Sequence, residues 1–370
     1  MIELSALPPP HFIDTDPAAL AAAMVESFEG MTGRSLLPAQ PERLFLDWLA
    51  YQFALQRQAM QEAGEQTLLA YARGTNLDHL GSFLGVLRLP ARAAQAVFEV
   101  RMATPAETAR MVGPLSVRTG DRTFAFTGSV TVPAGAVAVE AVLTATAAGA
   151  GANGYLPGQI AALDAPVQGV AGVSNISVSF GGADLEDDER LRRRIQEAPE
   201  KFSTAGPDGA YRWHALSAHA SILDVAVTSP RPGDVAVHVL TDEGMPSDAV
   251  LSLVRAALSA ATTRPLSDTV TVAAPAPVPY AIAATVWVRA DVDAETVRAR
   301  VEAAAEAWAA ERARGLGRSL IPSQVTVALS PAGVHRVEVA APALRPLEPW
   351  EWATCTGIAL TFRTEEAALG

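Results

Sequence analysis

The histidine side chains are the first candidates for chemistry, because imidazole binds metals and exchanges protons near neutral pH. His214 and His219 lie five residues apart in a segment whose pattern predicts a helix at residues 208–220. Residues five apart on a helix point in different directions, whereas a helical zinc pair needs a four-residue spacing and a nearby acid. The other histidines lie in unrelated elements, at His11, His79, His238 and His335. The sequence therefore predicts no metal site and no cofactor.

A run of acids is the second candidate. Residues 184–189 read Asp-Leu-Glu-Asp-Asp-Glu, which lacks the alternating ligands, central glycine and distal Glu of an EF-hand calcium loop. Acids here suit the positive end of a helix macrodipole, and the following Arg192, Arg193 and Arg194 can pair with acids one turn earlier. We interpret the run as the start of a helix over residues 187–198.

Nucleophiles and phosphate-binding loops are also poorly supported. Residues 149–154, Gly-Ala-Gly-Ala-Asn-Gly, lack the Lys-Ser/Thr of a Walker A loop and a clear following helix, so they predict a backbone turn. The chain contains no Gly-x-Ser-x-Gly elbow. Cys355 precedes the last predicted strand without an identifiable base, which favours a small core residue. No catalytic residue is predicted, although any two of the 40 carboxylates could meet in space.

Composition limits the classes of partner. A chain of 370 residues with 49% apolar and 18% charged residues should fold into several compact domains. The net charge of −12 and the scattered basic residues argue against direct nucleic-acid contact. The most apolar stretch, residues 134–154, is interrupted by Glu140, and the N-terminal residues do not resemble a signal peptide. Neither a membrane partner nor export by a signal peptide is expected.

The first 90 residues have a helical period. After Asp16-Pro17, Leu20, Met24, Phe28 and Met31 recur every three or four residues, which predicts one amphipathic helix. A longer helix follows Pro41 and has an apolar stripe with more apolar residues beside it, and its other face is rich in Gln. The stripe consists of Leu44, Trp48, Tyr51 and Leu55, and Phe45, Leu49 and Phe53 lie beside it.

A short third helical segment is predicted at residues 68–72. It stops at Gly74, and Thr75 or Asn76 can then cap a helix that runs to Leu84.

Beyond Pro90 the pattern changes to that of strands. Phe98, Val100 and Met102 alternate with polar residues, turn residues separate the apolar runs, and residues 173–180 predict a further strand. Two units of alternating helices and strands follow, joined by a linker at residues 274–277.

The predicted fold class is α+β with several domains. We expect an N-terminal helical docking segment at residues 1–90, a β-rich domain at 91–182, an α/β domain at 183–275 and a C-terminal α/β domain at 276–370, the last two with small antiparallel or mixed sheets.

Four segments, in this order, resemble the baseplate J-like family of contractile phage tails and related injection systems. They are residues 74–81 (Gly-Thr-Asn-Leu-Asp-His-Leu-Gly) with 85–88 (Gly-Val-Leu-Arg); the glycine-Asn turn at 148–154; the Gly-Gly turn and acidic-then-basic helix at 181–195; and the stretch from Gly206-Pro207 through Tyr211, Asp224-Val225 and 232–235 to 264–270.

The resemblance implies a structural baseplate wedge protein that lies around the central hub and spike and rearranges on host contact. It implies that the N-terminal helices join a bundle with a second wedge protein, similar to the tail protein I family, and that the C-terminal domains pair in a ring. Other implied neighbours are a sheath-initiator or lysozyme-like wedge protein and further copies of the chain. The implied location is the virion tail baseplate, after synthesis in the bacterial host cytoplasm, and no family catalytic residue is transferable.

Alternatives stay open at this point. The N-terminal helices fit equally a bundle that closes on itself and a docking bundle completed by another subunit through Leu44, Trp48, Tyr51 and Leu55. A tail-associated cell-wall hydrolase predicts a polar pocket with paired carboxylates or a metal. A receptor-binding adhesin predicts an exposed aromatic platform for sugars.

Overall fold

The computed structural model describes residues 4–105, 107–202, 208–259 and 268–364. The chain forms two compact units, one of residues 1–88 with 187–198 and the other of residues 89–186 with 199–370. The elements are N-terminal helices, a β-rich sheet and two small α/β parts with mixed sheets, which confirms the predicted α+β class.

The helices follow the order predicted from the sequence periodicity. They are α1 (Pro17–Thr32), α2 (Pro41–Glu65), α3 (Gly74–Phe83), α4 (Asp188–Glu197), α5 (Asp208–Leu216), α6 (Asp248–Leu258), α7 (Ala294–Ala313) and α8 (Pro322–Ala328). The strands are β1 (Gln95–Met102), β2 (Arg110–Val112), β3 (Leu115–Thr119), β4 (Arg122–Phe126), β5 (Val130–Val132), β6 (Ala138–Ala145), β7 (Ala162–Leu163), β8 (Val170–Asn175), β9 (Ile222–Arg231), β10 (Asp234–Thr241), β11 (Thr269–Ala273), β12 (Ala276–Val288), β13 (Val334–Ala341) and β14 (Glu351–Thr364).

The N-terminal unit has a small core for its length. The Asp16 side chain accepts a hydrogen bond from the Ala18 N–H and caps α1, and Gly33 ends this helix in the left-handed conformation with φ of 64°. Helix α1 packs against α2 around Val25, Leu36 and Leu46. Since helices in proteins are stabilised mainly by packing, this pair depends on few buried side chains.

The start of α3 differs from the prediction. Residues 68–72 form turns rather than a helix, and Arg73 is the N-cap of α3 without a side-chain cap bond. The Gly74 N–H instead donates to Asp188 Oδ2 on α4, over 3.0 Å. The prediction of a cap at Thr75 or Asn76 is wrong, because a carboxylate more than a hundred residues away accepts from the first turn.

The β-rich part is a nearly closed sheet with strand order β7-β3-β4-β6-β1-β8, whose end strands β7 and β8 lie close together. Alternate residues of β1 face its core, including Phe98 and Val100. The predicted strand at 173–180 is too long, because β8 ends at Asn175. The buried Asn175 side chain donates to Leu156 O and Ser177 O, which turns the chain there.

The first α/β part has the strand order β11-β10-β9, with β10 parallel to β11 and antiparallel to β9. Helices α5 and α6 pack on this sheet around Tyr211, Val237 and Val254. Helix α5 ends at Leu216, so the predicted helix at 208–220 is too long. The Gly206-Pro207 segment and residues 260–267, which include part of the last family-like segment, lie outside the described residues.

The C-terminal part has the strand order β13-β12-β14, with α7 and α8 on one face. Strand β12 begins at Ala276, so the predicted linker at 274–277 is wrong in its second half. Pro277 and Pro279 fit inside this strand because they pair only with β14, and β13 joins β12 from Ala283 onward. Strand β14 follows β12 in parallel from Glu351 to Thr364, so it begins before Cys355 rather than after it as predicted.

Candidate docking surface

One face of α2 is covered by its own chain. Leu46, Ala50 and Ala54 are buried and recur every four residues, so they form the face that packs inward. The two alanines have short side chains, which permits close approach of other chain segments.

The chain before α1 continues this cover along the same face of α2. Gln61 Oε1 accepts from the backbone N–H groups of Phe12 (2.9 Å) and Ile13 (3.3 Å), and Gln61 Nε2 donates to Pro10 O over 2.8 Å. The Phe12 ring lies against Gly64, where an added Cβ would approach the ring to 2.6 Å. Gln61 therefore fixes the N-terminal segment on α2, on the face that already carries Ala50 and Ala54.

The opposite face of α2 carries the predicted stripe and is exposed. Leu44, Trp48, Tyr51 and Leu55 are 58%, 56%, 56% and 44% accessible. Their spacings of four, three and four residues match the apolar seam of a coiled coil, and the seam is about 16 Å long at ~1.5 Å per residue.

Aromatic and amide side chains lie beside the stripe. Phe45, itself 57% exposed, stacks on Trp48 with ring centroids 5.9 Å apart. Gln52, Gln56 and Gln58 flank the stripe and are exposed. A partner on this face therefore meets mainly apolar and amide groups, with the Asp47 carboxylate, paired to Arg43, at one edge.

Among the described residues, the N-terminal helices pack together without covering this stripe, which is left exposed to solvent. Most soluble monomers do not expose a contiguous row of large apolar side chains without a binding purpose. The role of the stripe in docking stays a prediction.

The basic part of the 181–195 motif has a role that the sequence did not predict. Arg192 and Arg194 are buried, at 8% and 6% exposure, while Arg193 between them is exposed. The Arg192 guanidinium donates to Leu69 O and Ala72 O, each over 2.7 Å, and pairs with Glu189 as predicted. The sequence could not predict these bonds, because the hydropathy of arginine predicts an exposed helix face rather than a buried one.

The two glycine-rich motifs contact each other. Asn153 Nδ2 donates to Gly182 O over 2.9 Å, and the Gly182 N–H donates to Asn153 Oδ1 over 2.8 Å. A Cβ on Gly182 would lie 2.4 Å from Gly149 O, so only glycine fits. The Asp184 carboxylate accepts from the Ala150 N–H over 3.0 Å. The loop at 149–154 is thus a structural turn, as predicted.

Asp188 connects the acidic part of the motif to α3. Its carboxylate accepts from the Gly74 N–H and forms an ion pair with Arg88 over 2.6 Å. The Gly74 hydrogen bond, followed by the Arg88 charge, lowers the pKa of Asp188 below its ordinary value. The preceding Asp187 caps α4 by accepting from the Arg190 N–H over 2.8 Å. The acidic run is a helix start, as predicted.

The histidines do not converge. His214 lies on α5, whereas His219 lies beyond its end, buried, with Nδ1 accepting from the Ser221 N–H over 3.1 Å. Among the described residues, no three side chains of His, Cys, Asp or Glu are placed to hold a metal ion. In the same part of the chain, no helix combines the length and apolar character of a membrane span.

Cys355 lies inside β14 rather than before it, and packs at the edge of the C-terminal core. Its neighbour Tyr280 is buried, and burial together with the nearby thiol raises the pKa of the Tyr280 hydroxyl. The ring of Trp308 meets Tyr280 edge-on at 5.9 Å. This contact is that of a packed core, which agrees with the interpretation of Cys355 as a core residue.

Models of four domains of one family match the chain in order. They are the baseplate J-like N-terminal domain at residues 41–95, the barrel domain at 104–182, the central domain at 203–274 and the C-terminal domain at 280–361. The chain belongs to the baseplate J-like family. The family expected from the four sequence segments is thereby confirmed.

One curated relative is the protein described as baseplate protein J of Escherichia phage P2. It is 41% identical over 160 residues, which are 43% of this chain and 53% of the relative, so the match spans about half of that protein. A solved structure of the anti-feeding prophage baseplate matches 91% of this chain and 90% of its own, with a TM-score of 0.42 and 13% identity. At that score and identity the likeness does not by itself establish a shared fold.

Proposed function

We propose that this chain is a structural wedge protein in the baseplate of a contractile phage tail or related injection system. The observation that carries the proposal is the match of four baseplate J-like domains along the chain. The 41% identity to the phage P2 baseplate protein J over 160 residues supports it. The chain lies in the tail baseplate of the particle after synthesis in the bacterial cytoplasm.

The stripe on α2 is the proposed docking surface for a second baseplate protein. Leu44, Trp48, Tyr51 and Leu55 present one coiled-coil seam, and the chain's own N-terminal segment occupies the other side of α2. A helix of a tail protein I-like neighbour fits this seam. Trp and Tyr are the residue types that most often dominate interface energies.

The remaining neighbours belong to the same proposal. They are further copies of the chain, a sheath-initiator or lysozyme-like wedge protein, and the central hub and spike. The contact surfaces in this proposal belong to the four domains expected from the sequence, at residues 1–90, 91–182, 183–275 and 276–370, and the assembly rearranges on host contact. The chain acts by assembly and not by catalysis, and it contacts neither nucleic acid nor membrane directly.

The test is coexpression of the chain with the tail proteins encoded beside it. Removing residues 16–63 should abolish the complex and leave the later domains folded, as checked by size-exclusion chromatography and circular dichroism. A finer variant combines Trp48→Ala with Leu55→Ala, which should weaken the complex about 30-fold or more, since a central aromatic anchor such as Trp48 alone contributes about 2 kcal/mol or more.

The matched control is Phe83→Ala. Phe83 is 87% exposed but lies on α3 rather than on α2, so this variant should assemble normally. A complex that forms equally well without residues 16–63 contradicts docking through α2. Peptidoglycan cleavage that one acidic substitution abolishes, or glycan binding by the isolated chain, would favour the hydrolase or the adhesin instead.

A further inference from the structure

A cleft of about 650 Å³ lies in the unit of residues 89–186 and 199–370, between the barrel and central domains. Its volume is in the range of sites that hold a ligand or a few side chains of a partner. The lining residues are Arg92, Ala93, Gln95, Thr144, Phe180 and Gly181 from the barrel side, and His219, Ala249, Val250, Ser252 and Leu253 from the central side.

Arg92 provides a positive charge in this cleft, and hydrogen bonds hold its backbone in place. Its backbone N–H donates to Ala183 O over 2.7 Å, and its carbonyl accepts from the N–H groups of Gly149 (2.9 Å) and Ala183 (3.0 Å). Its guanidinium makes no hydrogen bond or ion pair with any described residue. The side chain is exposed, and its guanidinium offers a planar fork that matches one carboxylate.

An apolar wall stands in the same cleft. Leu253, at 38% exposure, lies one turn along α6 from Ala249, next to Val250, and the Phe180 ring lines the barrel side. Hydroxyl and amide groups of Thr144, Ser252 and Gln95 complete the lining. The cleft therefore combines one cation with an apolar surface and neutral hydrogen-bonding groups.

The strand at this cleft cannot accept an added strand at Gln95. The Gln95 N–H donates to Phe180 O over 2.8 Å, and the Phe180 N–H donates to Gln95 O over 2.9 Å. With these backbone groups paired inside the chain, recognition depends on side chains. A polyphosphate also fits poorly, because it needs several cations or a glycine-rich helix start and the lining contains one arginine.

We propose that this cleft receives a segment of a neighbouring baseplate protein that places an Asp or Glu carboxylate on Arg92 and an apolar side chain against Leu253. This inference rests on the proposed function, since it requires the chain to assemble. On a protein of net charge −12, the unpaired Arg92 guanidinium complements a single acidic side chain, and the apolar wall complements an apolar residue beside that acid. A protein segment supplies both groups side by side, so we infer that the occupant is a protein segment.

The test uses the assembled particle that contains the full chain. The photocrosslinker p-benzoylphenylalanine replaces Ser252 in one strain and Gln52, beside the α2 stripe, in another, and mass spectrometry locates the crosslinked peptides. Crosslinking from Gln52 reports the proposed function, and crosslinking from Ser252 reports this inference, so the two can fail separately. We expect the Ser252 crosslink on a segment with an acid next to an apolar residue.

Charge variants then test the chemistry. Arg92→Gln should lower the Ser252 crosslink yield about tenfold or more, and changing the partner's acid to its amide should do the same without adding to the loss. The matched control Arg118→Gln removes a barrel arginine that is 61% exposed and should leave the yield unchanged. Leu253→Ser, on the exposed face of α6, is a second variant that lowers the yield if Arg92→Gln reduces thermal stability.

Several results overturn the inference. One is that the photocrosslinker at position 252 crosslinks to no protein while the one at position 52 does. Another is a crosslinked segment without any Asp or Glu, or a yield that is the same for Arg92→Gln and Arg118→Gln. Adducts with small molecules only would show a ligand site of another kind.

Discussion

Replacing Arg192 by Met should destabilise the N-terminal unit, whereas the same change at Arg193 should not. Arg192 is 8% exposed, and its guanidinium donates to Leu69 O and Ala72 O. Arg193 is the next residue and is exposed. The two variants change the same residue type on the same helix and differ in burial and bonding.

The expected loss follows from the two carbonyls left without this donor. A buried acceptor that loses its partner costs about 1–3 kcal/mol; the bond to Ala72 O is buried and the bond to Leu69 O is part-buried, so the two together cost about 2–4 kcal/mol. The ion pair to Glu189 adds little, because that carboxylate is 83% exposed. Burial of the Met side chain offsets part of the loss. About 3 kcal/mol is therefore expected for Arg192→Met, against less than about 0.5 kcal/mol for Arg193→Met.

Hydrogen exchange measured by mass spectrometry localises the effect. The Tyr71 and Ala72 N–H groups both donate to Leu68 O in the turn that Arg192 holds. A loss of about 3 kcal/mol should speed their exchange roughly a hundredfold in Arg192→Met, since 1.4 kcal/mol is about tenfold. Equal exchange in the Arg192 and Arg193 variants, or an effect confined to peptides of residues 89–186, would refute the reasoning.

Two more changes test the same motif. The pKa of Asp188 is lowered in the folded chain, so its contribution to stability is present above its ordinary carboxyl pKa and is lost as pH falls through the lowered value. Urea melts should show Asp188→Asn less stable than the native chain at pH 7, and the gap should shrink as the pH falls below the ordinary carboxyl pKa; a constant gap would contradict this. Gly182→Ala should lower the free energy of unfolding by about 3 kcal/mol or more, because the added Cβ would meet Gly149 O. Gly181→Ala should cost only about 1–2 kcal/mol, because Gly181 has a φ of 80° but open space around it. Equal shifts in melting temperature for the two variants would show that the contact with Gly149 O relaxes.

The sequence predicts well those elements whose signals are local. The periodicity of α1 and α2, the alternation in β1 and the start of α4 at Asp187 all depend on residues within one or two turns. The Gly-Gly and glycine-Asn motifs are predicted as turns because glycine readily adopts the backbone conformations that tight turns require. These elements fix the fold class.

The errors occur where distant segments determine an element. The α3 start depends on Asp188, and the true end of β8 depends on contacts of Asn175 with Leu156. Strand β12 accommodates Pro277 because β14, from the end of the chain, is its single neighbour there. The burial of Arg192 and the cleft at Arg92 likewise arise from tertiary contacts, so no local pattern in the sequence could have revealed them.

The docking stripe shows a further limit, since apolar periodicity reports that a face is buried but not what buries it. Leu44 and Leu46 are the same residue type two positions apart, yet one is 58% exposed and the other 9%. Helix α1 and the segment fixed by Gln61 cover only the face of Ala50 and Ala54, so the second apolar face of α2 has no use inside the described unit. A helix that is apolar on two sides in a unit with so small a core is therefore the expected signature of a chain that completes its packing in an assembly.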